Sequence, residues 1–251
     1  MENGWSQKKL HKFIVLSRVY QESTHTRTEY EAIDPENRLL WRANIRRLDF
    51  ESMRDSLLVF SGQLDRMVGG KPINLTDEPY SYRRSVYGYV DRGNLPELMA
   101  HFDFSDPDMP NSKRNSTVVP QQALFLMNSP MAVDIARKIL QRPEVTKAPY
   151  DLNRIMAIYR IIFQRSATQA EIQMATAFIQ KESNEDSELA KVEDTPRERN
   201  GRQRRMVRAN RNDNRFGAIK NEGERVERKS LSAWETYVHA LLFSNEAAYI
   251  N

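Results

Sequence analysis

Apolar residues recur at helical spacing over most of this chain. Leu10, Phe13, Ile14 and Ser17 share a face behind Ser6, a residue suited to cap a helix N-terminus, and Trp5 and Leu10 are placed to close over the first turn. This helix is expected to end near Tyr20, where the Ser23-Thr24-His25-Thr26 cluster favours local side-chain bonding over continuation. Asp34-Pro35 predicts a second start, with Leu39, Leu40, Ala43 and Leu48 carrying the helix on. Asp49 predicts a third cap, followed by Met53, Leu57, Phe60 and Leu64 at the helical period, with Arg54, Asp55 and Gln63 facing away. Gly62 or the Gly69-Gly70 pair ends it, because glycine accepts the left-handed conformation a helix C-terminus often needs.

The pattern changes between Tyr82 and Pro130. Ser81 to Val90 is β-branched and aromatic and reads as a strand, with Pro72-Ile73-Asn74-Leu75 pairing to it through a turn near Asp77-Glu78-Pro79. An acidic, Pro-rich loop follows. Long irregular connections in a compact domain are usually functional or disordered, so this stretch is the place to look for a site.

Helical spacing then returns. Pro120 opens a short buried helix through Leu124 and Met127, and Ser129-Pro130 caps the next, which carries Val133, Ala136, Ile139 and Leu140. Leu152, Ile155, Tyr159, Ile162 and Phe163 form a further stripe. Thr168-Gln169-Ala170-Glu171 reads as a capping box ahead of Ile172, Ala175, Phe178 and Ile179. From Lys181 to Lys229 charge replaces the apolar pattern, which fits a solvated helix, a helical hairpin or a disordered insertion alike. Trp234, Tyr237, Val238, Leu241 and Leu242 make an amphipathic closing helix.

Composition sharpens this picture at three points. The hydrophobic share of 39% in 251 residues permits a real core, while 29% charged residues require a sizeable solvated part. Residues 197–215 hold eight arginines against Glu198 and Asp213, a local +6, which leaves −2 of the total +4 for everything else. The basic balance therefore reports one segment, not a basic face. With no cysteine there is no disulfide, thiolate metal site or C-x-x-C-H haem attachment, and no apolar run is long enough to span a bilayer.

Several motifs carry a family resemblance. Gly4-Trp5-Ser6, Lys8-Lys9-Leu10-His11 and Ile14-Val15-Leu16-Ser17 are followed by Arg46-Arg47-Leu48-Asp49 and Arg54-Asp55-Ser56-Leu57. Arg83-Arg84-Ser85-Val86-Tyr87, Phe102-Asp103-Phe104, Val119-Pro120-Gln121-Gln122-Ala123-Leu124 and Asn128-Ser129-Pro130 come next. Phe163-x-Arg165 to Glu171 and Leu241-Leu242-x-Ser244-Asn245-Glu246 with Tyr249 complete the set. In this order they resemble the C-terminal domain of unknown function of large planctomycete proteins that also carry a cytochrome c domain. The resemblance covers Gly4 to about Phe178 and Ser230 to Asn251. It implies an extracytoplasmic location, an upstream cytochrome c-bearing region as a partner, and a chain that is the C-terminal part of a longer protein or a truncated reading frame. It supplies no mechanism, and without cysteine no haem or other cofactor is expected in this chain.

The candidate chemistry gathers around the irregular stretch. Asp103, Asp106 and Asp108, with Arg114, Gln121 and Gln122 nearby, could bind a hard cation or supply the acid and base that cleave a glycosidic bond. The bland reading is capping and turn formation. Arg83 and Arg84 fall on opposite faces of the expected strand, so one could meet an anionic group while a pairing of one with Asp103 or Asp106 would fix the loop. Tyr87, with its neighbouring tyrosines, could stack on a sugar or pack on helices. His11, His25, His101 and His239 are scattered, so no metal site is expected. The arginine run lacks aromatic companions other than Phe216, which disfavours nucleic acid as its partner.

These readings converge on a mainly α protein, a multi-helix orthogonal bundle with a small two-stranded β-ribbon. The expected layout is a helical core over 1–180 with the ribbon near 72–90, a charged insertion over 181–230, and a C-terminal helix over 231–251 that packs back on the core. The expected role is a non-catalytic module that binds a protein partner or an anionic polymer such as a polysaccharide. The alternatives are a polysaccharide-active enzyme using the 103–108 carboxylates, and nucleic-acid binding through Arg197–Arg215.

Overall fold

Local capping chemistry starts the helices where it is strong enough to act alone. The computed structural model describes residues 4–115, 117–193 and 219–250, with the backbone only for 185–193 and 250. Two compact units result, Met1–Leu48 with Ala248–Asn251, and Asp49–Ala247.

In the first unit the Ser6 hydroxyl accepts from the Lys9 amide at 3.4 Å and opens α1 (Gln7–Val15), which stops at Leu16 instead of reaching Tyr20. The helix expected from Asp34-Pro35 does not form. The Asp34 carboxylate accepts from the Arg38 and Leu39 amides at 3.0 and 2.7 Å, and Asn37 closes the following loop by donating to Arg42 O at 2.8 Å and accepting from the Arg42 amide at 3.2 Å. Asn37 and Leu40 take φ of 55° and 54°, which an α-helix excludes. Here side-chain acceptors outcompete the backbone ladder, and the short α2 (Thr28–Glu31) lies upstream instead. The two-residue strands β1 (Arg46–Arg47) and β2 (Tyr249–Ile250) pair antiparallel and continue with Leu48 N–H donating to Ala248 O at 2.9 Å.

The second unit begins with α3 (Phe50–Phe60), whose cap Asp49 accepts from the Ser52 amide at 2.9 Å. It continues through α4 (Glu97–His101), α5 (Pro120–Asn128), α6 (Pro130–Leu140), α7 (Pro143–Thr146), α8 (Asp151–Phe163), α9 (Gln169–Glu193) and α10 (Ala233–Leu242) to α11 (Asn245–Ala248), whose last residue already belongs to the first unit. The protein is mainly helical. Thr168 and Glu171 bond reciprocally at the start of α9, and Ser232 and Glu235 do the same for α10. α10 packs on α6, α8 and α9. Ile155, Tyr159, Ala175, Ile179, Ala233 and Tyr237 form one buried cluster, and Ile135, Ala136 and Ile139 of α6 are buried with Val238 and Leu242 of α10. In α5 the phase differs from the expected one. Leu124 and Met127 are 52% and 55% exposed, while Gln122 and Leu126 turn inward.

The strand expected over Ser81–Val90 is absent. Ser85–Tyr87 is a single 3-10 turn, and among the described residues the β pairing of the segment is limited to isolated parallel bridges at Asp65/Arg83 and Ile73/Gly88. Gly88 is required there, because a Cβ would sit 2.6 Å from Leu75 Cγ and 3.0 Å from Ser85 O. Of the charged segment, 219–230 runs as an extended strap. Asn221 exchanges hydrogen bonds with Asn74 and donates to Pro79 O, Arg228 pairs with Glu78, and Arg137 of α6 donates to Glu227 O and Lys229 O, both at 2.9 Å. The Arg197–Arg215 run lies outside the described residues.

Candidate functional site

The structure does not bring the expected residues into one site. Asp103, at the left-handed φ of 57°, accepts from the Thr117 amide and hydroxyl at 2.7 and 2.8 Å and so pins the end of its loop. Asp106 caps a turn by accepting from the Asp108 amide at 2.9 Å, and Asp108 itself is exposed. Arg114 forms a fork with Glu51 of α3, both contacts at 2.8 Å, and lies 4.7 Å over the Phe104 ring. Its guanidinium is held above the usual range by those bonds to Glu51. Gln122 is buried, donating to His101 O at 2.7 Å, whereas Gln121 is exposed. These residues splice the loop to α3, α4 and α5. Asp103 and Asp106 therefore hold the loop together by accepting from its own amides and hydroxyl.

Arg83 and Arg84 make no ion pair with Asp103 or Asp106. Arg83 donates to the carbonyls of Gly69 and Lys71 and lies 4.4 Å over the Tyr87 ring, while the Tyr87 hydroxyl accepts from the Gly69 amide at 3.0 Å. Arg84 is exposed. The planar guanidinium is used here to close a backbone loop, not to present charge to a ligand.

The residue that sequence reading placed on the wrong side is Arg54. It is 1% exposed and projects from α3 into the 81–85 segment. Its guanidinium donates to Ser81 O, to Arg83 O at 3.0 Å and to the Ser85 hydroxyl at 3.2 Å. Asp55 alongside accepts from the Ser85 amide and hydroxyl at 2.8 and 2.7 Å. Burial pulls the Arg54 pKa down to about 10 against the opposing field of Asp55. An arginine flanked by Met53 and Leu57 at helical spacing gives no local sign of this. Only the later Arg83-Arg84-Ser85 motif, whose carbonyls need donors, could have suggested it.

A basic surface pocket remains as the candidate site. It has a volume of about 670 Å³ and lies between the end of α3, α7 and α8. Its charged lining is Arg142, Glu144, Lys147 and Arg160, with Asn153 and Gln164 as further polar groups. Arg142 is committed to structure, forking onto Glu144 and donating to Phe60 O at 3.0 Å. Lys147 and Arg160 have no ion-pair partner among the described residues. Met156, Ala157 and Ile161 supply an apolar wall. The site thus offers two uncompensated cations beside apolar surface and amides, which suits an anionic group on a larger molecule.

Other titratable groups lie in the core or at its edge. Burial pushes the Tyr237 hydroxyl up and the His239 imidazole down. Arg165 holds Glu171 and Glu246 together and lowers Glu171 to about 2 by hydrogen bonding. Among the described residues no cluster of His, Asp and Glu could hold a metal ion.

Fold and site together define a mainly helical module with a basic pocket. Residues 1–179 match the model of the PSD1 family, described as a protein of unknown function (DUF1553), and the chain belongs to that family. No curated protein and no solved structure matches it.

Proposed function

We propose that this chain is a non-catalytic module that binds an anionic polymer or the anionic surface of a partner, in the setting of larger extracytoplasmic, cytochrome c-associated proteins. The observation that carries this reading is the pair Lys147 and Arg160, which line a pocket and have no ion-pair partner among the described residues. Carboxylate or sulfate groups spaced along a polysaccharide would meet both cations while the sugar rests on the apolar wall. The alternative, hydrolysis by the 103–108 carboxylates, has less support because Asp103 and Asp106 are engaged in turn bonds. Binding of polygalacturonate to the full chain, measured by calorimetry, tests the proposal. Lys147→Ala and Arg160→Ala should each weaken it about tenfold, as loss of a charged hydrogen bond does. Neutral dextran should not bind, and reducing ends should not accumulate. Variants that bind polygalacturonate as well as the parent would refute the assignment.

A further inference from the structure

α1 buries none of its side chains. Leu10 and Phe13 are 57% and 77% exposed, Ile14 joins them on the same side, and Trp5 just ahead of the helix is 82% exposed. Burying such side chains is worth about 1.5–3 kcal/mol each, so a face left open at this density calls for an occupant. Lys8 and Lys12 lie on the opposite side and Lys9 on the flank next to Phe13, because successive residues turn by about 100° around a helix. Between Trp5 and Tyr20 there is no Asp or Glu, and Lys8, Lys9, Lys12 and Arg18 have no ion-pair partner among the described residues.

Charge and length together select the occupant. A protein groove that takes a helix reads apolar anchors at i, i+3, i+4 and i+7. Leu10, Phe13 and Ile14 fill the first three, but the fourth is Ser17, whose hydroxyl turns back to Ile14 O at 2.7 Å. The stripe is too short for a groove. A short apolar edge, an indole at one end and lysines on the other face are what a helix lying in a lipid headgroup layer presents. Among the described residues no helix is long and apolar enough to cross a membrane.

We propose that α1 and Trp5 form a contact for an anionic lipid surface, with the lysines on headgroup phosphates and the apolar edge among the upper acyl chains. This inference is independent of the pocket. Co-sedimentation of the full chain with phosphatidylcholine vesicles, with and without phosphatidylglycerol, tests it. Binding is expected only with phosphatidylglycerol and should fall as salt is raised. Replacing Lys8, Lys9 and Lys12 by Gln should weaken it about fivefold per residue, on the order of a hundredfold together. The double variant Leu10→Ser, Phe13→Ser should abolish it with the helical circular dichroism unchanged, because neither side chain is buried. Lys147→Ala and Arg160→Ala should leave vesicle binding intact, which separates this test from that of the pocket. Equal binding to neutral vesicles, or undiminished binding of the triple lysine variant, would overturn the proposal. So would absence of vesicle binding combined with an oligomer that the Leu10, Phe13 variant converts to monomer, since α1 would then meet a second copy.

Discussion

Arg54 holds three consecutive structural decisions in one guanidinium. Its fork reaches Ser81 O, Arg83 O and the Ser85 hydroxyl at once, which fixes the path of a segment that would otherwise extend as a strand. A lysine presents a point charge and cannot span those acceptors. Arg54→Lys should therefore cost about 2–3 kcal/mol in urea unfolding, and Arg54→Ala about 3–5 kcal/mol, because the carbonyls and Asp55 are then left without their buried donor. Equal stability of parent and variants would mean that water replaces the side chain there.

Elements are joined in the same way at a larger spacing. Arg165, just past the end of α8, clamps Glu171 in the first turn of α9 at 2.6 Å and Glu246 of α11 at 2.6 Å, and its charge lies over the rings of Tyr159 and Phe163. Glu171 drops from 4.5 to about 2 through its bond to Arg165. A depressed carboxylate contributes its full stabilisation above its unfolded value and loses it as pH falls toward the folded one. Stability of the parent should thus decline more steeply between pH 4.5 and 2 than that of Glu171→Gln, which lacks the group. Parallel pH profiles would remove the clamp from the account. The helix starts were legible because a cap is local chemistry. Ser6, Asp49 and Thr168 each bond an amide three residues on. Asp34 carries the same signal, but Asn37 and Trp41 offer competing partners, and the chain turns instead.

At the scale of the molecule, contacts far apart in sequence set the irregular regions. Asn221 accepts from the Asn74 amide at 2.9 Å and donates to Asn74 O and Pro79 O at 2.8 and 2.9 Å, tying the 219–230 strap to the loop ahead of the 81–85 segment. Asn221→Ala removes all three bonds. It should cost about 1–3 kcal/mol and speed amide exchange at Asn74, with α10 unaffected. Unchanged exchange at Asn74 would show that the loop holds itself.

The amino-acid sequence by itself determined the helical class, the starts of α1, α3, α5, α6 and α9, and the amphipathic faces of α6, α8 and α10, because periodicity and capping act within one or two turns. It also exposed the family motifs, though not what they do. Only the tertiary structure decided that Arg54 turns inward, that the tyrosine-rich segment bends instead of extending, that the loop aspartates close turns, and that Lys147 and Arg160 share a pocket. Each of those outcomes depends on a donor meeting an acceptor far along the chain, or on two charges left without an ion-pair partner among the described residues, and no local pattern encodes either.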